Sequence, residues 1–272
     1  MVFGSPTTLS DTDPIARRFS FWRSTGHRAL IPYLTAGYPT PSDTLQTLHA
    51  LADVGADVLE LGIPFSDPVA DGPTIQLSSQ RALEHGVTAA DVLRMLDAFR
   101  RSSATPVVLF SYLNPLIGYG VERFLADAVA AGADGILLTD LPAGGDPELE
   151  QLFEESPLSF IRLVAPTTPP QRVAEIAQRA QGFLYYVGRL GVTGARATVR
   201  QETLREVAAL RQQVTLPVAV GFGVSTPEHA RALGAVADGV VVGSALIDAL
   251  ERGGIRAVTA LLGSMRSALD NV

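Results

Sequence analysis

Two residue types are missing from this chain, and their absence excludes several kinds of chemistry. None of the 272 residues is Cys, which excludes disulfides, thiolate catalysis, zinc–cysteine sites and iron–sulfur clusters. None is Lys either, because all 21 basic residues are Arg. A Schiff-base mechanism, a Walker A loop and covalently held pyridoxal phosphate each require a lysine amine. The sequence therefore cannot support any of these three.

Histidine is scarce, and the charge balance is acidic. No HxH or HExxH spacing occurs, so we expect no metal site; the four histidines are His27, His49, His85 and His229. The net charge of −7 argues against a nucleic-acid partner, which favours a basic face. Apolar runs reach only strand length, and the first ten residues lack an apolar targeting region. We therefore expect no membrane association and a cytoplasmic location.

Short apolar runs alternate with helical patterns along nearly the whole chain. Continuous apolar runs of this kind are typical of parallel strands covered by helices on their outer side. Eight strands are predicted: Ala29–Leu34, Val58–Gly62, Pro106–Tyr112, Gly135–Thr139, Phe160–Val164, Phe183–Val187, Pro217–Val220 and Gly239–Val242.

The joints between helices and strands resemble one another. Gly55-Ala56-Asp57, Gly132-Ala133-Asp134 and Ala237-Asp238-Gly239 each end a helix and begin a strand. No linker divides the chain, and eight βα units predict an α/β fold, a single (β/α)8 TIM barrel over residues 1–272. We expect extra N-terminal and loop helices and a short N-terminal extension at about 1–14. An open doubly wound sheet is the alternative, but no GxGxxG follows the first strand.

Glu60 is the one carboxylate inside an apolar predicted strand. Strand alternation places it on the opposite face from Leu59 and Leu61, so it is expected to point into the barrel near the carboxyl end of the strand. A carboxylate there is costly unless it is paired or protonated. We interpret Glu60 as catalytic; the alternative is a structural carboxylate bonded to backbone or to a tyrosine. Asp67 and Asp71 follow on the next loop, where turn formation or helix capping is the alternative to a catalytic role.

Glycine-rich loops follow the last three predicted strands. Gly221-Phe222-Gly223 and Gly243-Ser244 stand where barrels of this type form phosphate sites, because bare backbone N–H groups can approach an anion there. The loop from Arg189 to Gly194 is a third such segment. Tight turns alone are the alternative. Aromatic residues near strand ends favour an apolar substrate moiety: Tyr33, Phe110, Tyr112 and Tyr185.

The segment Leu59–Gly72, LELGIPFSDPVADG, resembles the signature of the tryptophan synthase alpha chain family, and the similarity extends from about Ala29 to Leu250. The resemblance implies a lyase of tryptophan biosynthesis that cleaves indole-3-glycerol phosphate to indole and glyceraldehyde 3-phosphate. It implies no cofactor in this chain. It also implies a beta-chain partner carrying pyridoxal phosphate, in an alpha2-beta2 complex.

The same resemblance assigns roles to individual residues. It implies that Glu60 and Asp71 are catalytic and that Tyr185 supports the glutamate. The implied substrate-binding residues are Tyr33, Tyr112 and Leu137 for the indole ring, and Thr193, Gly194, Gly221, Phe222, Gly223, Gly243 and Ser244 toward the phosphate. We expect the partner interface to include Pro64, Asp67 and Pro68.

The chemistry agrees with this assignment without a lysine. Cleavage of the bond between indole C3 and the glyceryl carbon is a retro-aldol-type step, and the ring accepts the electrons once C3 is protonated. One or two carboxyl groups suffice for the proton transfers. Three hypotheses stay open: the alpha chain of a two-component synthase, a stand-alone lyase, and a catalytically weak barrel acting as an allosteric partner. The intact carboxylate pair argues against the third.

Overall fold

Eight parallel strands close into a barrel in sequence order, each pairing with the next and the last with the first. The computed structural model describes residues 13–188, 198–221 and 223–272. All eight predicted strands are confirmed to within one residue at each end, and with them the (β/α)8 barrel. They are β1 Ala29–Thr35, β2 Leu59–Gly62, β3 Val107–Ser111, β4 Gly135–Leu138, β5 Ser159–Val164, β6 Leu184–Tyr186, β7 Val218–Val220 and β8 Gly239–Val242.

Helices surround the barrel, and some of them are additional to the eight that the fold requires. The additions include a helix before the first strand and a short helix directly after β3. Within the described ranges, no helix is both long and apolar enough to span a membrane. The helices are α1 Pro14–Thr25, α2 Pro41–Asp53, α3 Pro73–Glu84, α4 Ala89–Arg100, α5 Leu113–Tyr119, α6 Val121–Ala130, α7 Pro147–Glu155, α8 Pro170–Arg179, α9 Gln201–Gln213, α10 Pro227–Gly234 and α11 Ser244–Leu269.

Strand alternation divides the apolar side chains into an outer and an inner core. Leu59 and Leu61 belong to the outer core, between the strands and the helices. Val58 belongs to the inner core, inside the barrel. Glu60 alternates with the two leucines and therefore faces inward, as the sequence predicted.

Helix α1 closes the lower end of the barrel, where the strands begin. Ile15 and Phe19 are fully buried and pack with the inner core. The Asp13 carboxylate caps the helix by accepting from the backbone N–H groups of Ile15 and Ala16. It also accepts from the Ser159 hydroxyl at 2.6 Å and from a backbone N–H ahead of β6 at 2.7 Å. Of the predicted N-terminal extension, the described residues are Asp13 and Pro14.

The three similar helix–strand joints share one arrangement of hydrogen bonds. Asp57, Asp134 and Asp238 each accept from the backbone N–H of a residue on the preceding strand, at 2.8, 2.8 and 2.9 Å. Each also pairs with arginine: Arg266 with Asp57, Arg100 with Asp134, and both Arg23 and Arg211 with Asp238. Neighbouring strands are thereby fixed to each other at the lower end, which leaves the upper end for the site.

Candidate active site

Glu60 lies near the carboxyl end of β2 and is 1% exposed. Neither of its carboxylate oxygens has a hydrogen-bond partner within the described part of the chain. Burial raises the pKa of Glu60 from an ordinary 4.5 to about 8, because the apolar interior disfavours the charged form. At neutral pH this group therefore holds a proton that it can donate.

Two tyrosines on other strands reach the upper end of the barrel beside glycines. Tyr33 on β1 is the register partner of Glu60, and its hydroxyl oxygen lies only 2.2 Å from the position that a Cβ atom on Gly62 would take. Tyr185 on β6 relates in the same way to Gly221, which follows β7. Any side chain at either glycine would displace a phenol hydroxyl. The two glycines are thus required by close approach.

Tyr185 is close enough to Glu60 for their charges to interact. Burial raises the pKa of Tyr185 well above its ordinary value, and the charge of Glu60 raises it further. The phenol is therefore neutral at physiological pH. The structure brings this residue and Glu60 together without a hydrogen bond between them.

Asp71 lies on the loop between β2 and α3, and Tyr112 holds it there. The Tyr112 hydroxyl donates to the Asp71 carboxylate at 3.0 Å and accepts from the Ala70 backbone N–H at 2.9 Å. Burial raises the pKa of Asp71 to about 6, and the bond from Tyr112 partly opposes that rise. At neutral pH Asp71 is mostly ionised, in contrast to Glu60. Tyr112 thus contacts a catalytic candidate as well as lying at a predicted indole-pocket position.

Helix α3 anchors the same loop at further points. The Ser79 hydroxyl accepts from the Phe65 backbone N–H at 2.8 Å and donates to the Phe65 carbonyl at 3.0 Å. The Gln76 side-chain amide donates to the carbonyls of Asp71 and Pro68, at 2.9 and 3.3 Å. Sequence reasoning missed both residues. The available signal for Ser79 was a small polar residue on the buried face of a helix, next to Ser78.

The loop that carries Asp71 also presents the residues expected at a partner interface. Asp67 is exposed and Pro68 is half-buried, whereas Pro64 is buried beneath them. Val69 is 86% exposed, which is unusual for an apolar side chain of this size. The exposed residues in this part of the loop are Ser66, Asp67, Val69 and Ala70.

An apolar wall stands beside the two carboxyl groups. Leu137 on β4 is fully buried inside the barrel and is the register partner of Phe110 on β3. The ring of Phe110 meets the ring of Tyr33 edge to face, with 5.2 Å between the ring centroids. These side chains form a largely apolar and aromatic lining of the kind that an aromatic ligand requires.

The predicted phosphate loops follow the adjacent strands β7 and β8. Gly223 is exposed with a φ of 68°, and Gly243 and Ser244 begin helix α11. The Gly221 N–H already donates to the Tyr186 carbonyl at 3.2 Å, so Gly221 contributes space and no donor. Three predicted substrate-binding residues lie outside the described residues: Thr193, Gly194 and Phe222. Among the residues that are described, no group of His, Asp or Glu is placed to hold a metal ion.

A family model described as tryptophan synthase alpha chain matches residues 19–267 of this chain. The chain belongs to the tryptophan synthase alpha chain family. The alpha chain of Laribacter hongkongensis is 48% identical over 260 residues, which cover 94% of this chain and 98% of that protein. The alpha chain of Chromobacterium violaceum is 52% identical over 227 residues, covering 83% and 87%. A crystal structure of tryptophan synthase subunit alpha from Legionella pneumophila matches with a TM-score of 0.86 at 41% identity, covering 95% of this chain and 98% of that one.

Membership confirms the family resemblance found in the sequence. The chain is an alpha-chain lyase of tryptophan biosynthesis, and the name of the family implies a beta-chain partner.

Proposed function

We propose that Glu60 and Asp71 are the two carboxyl groups with which this alpha chain cleaves indole-3-glycerol phosphate. The observation that carries the proposal is the difference between their surroundings, since Glu60 is buried with no hydrogen-bond partner among the described residues, whereas Asp71 accepts a hydrogen bond from Tyr112. Burial accordingly raises the pKa of Glu60 to about 8 and that of Asp71 only to about 6. Two nearby carboxyl groups whose environments separate their pKa values can act as acid and as charge stabiliser at the same pH.

Glu60 acts first as an acid and then as a base. The protonated carboxyl group donates its proton to indole C3, which makes the ring a cation. The carboxylate that remains takes the proton from the glyceryl hydroxyl next to the scissile bond. The bond between C3 and that carbon then breaks, its electrons return to the ring, and indole and the aldehyde form. Glu60 ends the cycle protonated, as it began.

Asp71 stabilises the positive charge that develops in between. Its ionised carboxylate accepts a hydrogen bond from the ring N–H, which is the group where the cation is concentrated. An ionised partner that is already in place costs no reorganisation during the reaction. The bond from Tyr112 supplies that placement.

The remaining predicted residues bind the two ends of the substrate. The apolar wall of Tyr33, Phe110 and Leu137 accommodates the indole ring. Gly223, Gly243 and Ser244 approach the phosphate from the ends of β7 and β8, with the N-terminus of α11 adding its dipole. The loop beyond β6, with Thr193 and Gly194, completes this end in the proposal.

The beta chain docks over the barrel mouth in this proposal, on Asp67, Pro68 and the exposed Val69, with the buried Pro64 supporting the loop from below. Indole is small, neutral and apolar, so a partner that covers the mouth keeps it from escaping into solution. The pyridoxal phosphate of the reaction belongs to that partner, since this chain has no lysine. In the same proposal the two chains form an alpha2-beta2 assembly in the cytoplasm, as the family resemblance implies.

The decisive experiment replaces Glu60. We expect Glu60→Gln to lower indole release from indole-3-glycerol phosphate by about 10²–10⁴-fold, because the amide neither donates nor accepts the catalytic proton. Glu84→Gln, an exposed carboxylate on α3, is the matched control and should keep full activity. Release by Glu60→Gln within tenfold of wild type would contradict the assignment.

A further inference from the structure

Three hydroxyl groups form a buried chain that starts at the barrel mouth. The Tyr33 hydroxyl lies 3.2 Å from the Thr35 hydroxyl, which lies 2.7 Å from the Ser78 hydroxyl on α3. The Ser78 hydroxyl donates to the Ile75 carbonyl at 2.8 Å. Thr35 and Ser78 are both fully buried, so bulk water does not compete for these bonds.

The number of available protons fixes which hydroxyl donates in each of these hydrogen bonds. Each hydroxyl has one proton, and a carbonyl can only accept. Ser78 gives its proton to the Ile75 carbonyl and must therefore accept from Thr35. Thr35 in turn must accept from Tyr33. The proton of Tyr33 thus points toward Thr35, which leaves a lone pair on the phenol oxygen as an acceptor.

The phenol oxygen lies beside the two catalytic candidates. It occupies the space over Gly62, one inward-facing position above Glu60 on β2. Burial raises the pKa of Tyr33 above its ordinary value, and the charge of Asp71 raises it further, more strongly than the charge of Glu60. Both carboxyl groups therefore lie near enough for their charges to act on this oxygen.

We propose that the Tyr33 hydroxyl oxygen is a second acceptor for the ring N–H of the substrate, in a three-centre hydrogen bond shared with Asp71. Thr35 and Ser78 are positioning residues, because they keep the phenol proton turned away from the ring. This inference rests on the proposed function, in which Asp71 binds the ring N–H. A fixed neutral acceptor makes the site select a ring that carries a donor, since an unmatched buried acceptor costs binding.

The test compares two ligands that differ in the ring N–H. One is 3-(indol-3-yl)propyl phosphate, and the other is its benzofuran counterpart, in which oxygen replaces N–H. Both lack the glyceryl hydroxyls and cannot be cleaved. Titration calorimetry on the full chain gives the preference of each variant for the indole ligand. We expect Tyr33→Phe to reduce the wild-type preference about fivefold, the worth of one hydrogen bond.

The positioning role has a readout of its own. Thr35→Val should also reduce the preference, but it should add nothing in a Tyr33→Phe background, because it acts through the phenol. Ser78→Ala should act in the same direction. Thr47→Val is the matched control, since Thr47 is equally buried but donates to the Asp43 carbonyl within α2. Its preference should equal that of wild type.

Each remaining outcome has one meaning. An unchanged preference in Tyr33→Phe, or an equal weakening of both ligands, overturns the inference. If Tyr33→Phe weakens only the binding of indole-3-glycerol phosphate and leaves the preference between the two ligands unchanged, the phenol oxygen binds a glyceryl hydroxyl. That result overturns the N–H assignment. If the wild-type chain releases no indole while Tyr33→Phe still reduces the preference for the indole ligand, the proposed function fails. The assignment of the Tyr33 oxygen as an acceptor for a ring N–H then remains valid.

Discussion

One buried carboxyl group, Glu60, has opposite consequences for catalysis and for stability. In the unfolded chain it ionises near 4.5, whereas burial in the folded barrel raises its pKa to about 8. Between these values the unfolded state releases the proton more readily, so the free energy of unfolding falls as pH rises. The contribution of Glu60 to the free energy of unfolding is fully present below pH 4.5 and is lost by about pH 8. At pH 7 the loss is on the order of 3 kcal/mol as an upper bound.

Glu60→Gln should therefore be inactive and yet more stable than wild type near neutral pH. The neutral amide avoids the penalty, although its own burial offsets part of the gain. We expect a gain of about 1–3 kcal/mol at pH 8 that shrinks toward pH 5.5, measured by urea unfolding at each pH. Glu84→Gln should show no such trend. A destabilised Glu60→Gln would instead identify Glu60 as a structural carboxylate.

At the scale of elements, the loop between β2 and α3 connects the two catalytic candidates. Its root carries Glu60, its end carries Asp71, and helix α3 and Tyr112 fasten it in between. Because Glu60 must be protonated and Asp71 ionised, kcat/KM of the isolated chain should rise through about pH 6 and fall through about pH 8.

Removing the Tyr112 hydroxyl should move the acid limb of that profile. The bond from Tyr112 lowers the pKa of Asp71, so Tyr112→Phe should raise it and shift the limb above pH 6. At pH 7 we expect kcat to fall about 3–10-fold, in line with one lost hydrogen bond to a charged group. Tyr119→Phe is the control, because that hydroxyl donates to Asp127 outside the site. An acid limb at the wild-type position would show that Tyr112 does not set the charge of Asp71.

The elements were predictable where a local pattern determined them, and the site was predictable in part. Continuous apolar runs gave the strands, and alternation gave the inward direction of Glu60. The fastening by Ser79 and Gln76 was not predictable, because their partners lie on a loop whose path depends on the whole fold. Gly221 stood in an anion-binding pattern, yet its N–H serves the sheet and its missing side chain makes room for a phenol. Sequence shows that a glycine is present but not which neighbour needs the space.

At the scale of the molecule, the barrel is held closed at its lower end by buried charge. Asp238 is 2% exposed and joins Arg23, Arg211 and the backbone of β7. Asp238→Asn should lower the free energy of unfolding by about 2 kcal/mol, because the arginines lose their counter-charge. For a chain of this size the melting temperature should fall by roughly 4–8 °C. Asp248→Asn, a half-buried aspartate whose partner Arg252 is exposed, should leave the melting temperature almost unchanged, and equal shifts would refute the argument.

The opposite end of the barrel is where a beta chain meets this chain in our proposal. Val69→Asp should weaken the rise in turnover when the beta chain from the same organism is titrated in, because it places a charge in an apolar contact. Indole release by the isolated chain should stay near its wild-type rate, since the Val69 side chain is 86% exposed. Leu152→Asp on α7 is the control. An isolated chain that is already fast and unaffected by the beta chain would favour the stand-alone lyase.

Helix α1 gives the barrel a floor. Ile15 and Phe19 fill the space under the strands, and Asp13 fastens the helix to β5 and to the segment ahead of β6. A product formed at Glu60 therefore travels upward, by the route through which the substrate came. With the lower end of the barrel closed, a protein resting on the upper end determines both when the next substrate enters and where the last product goes.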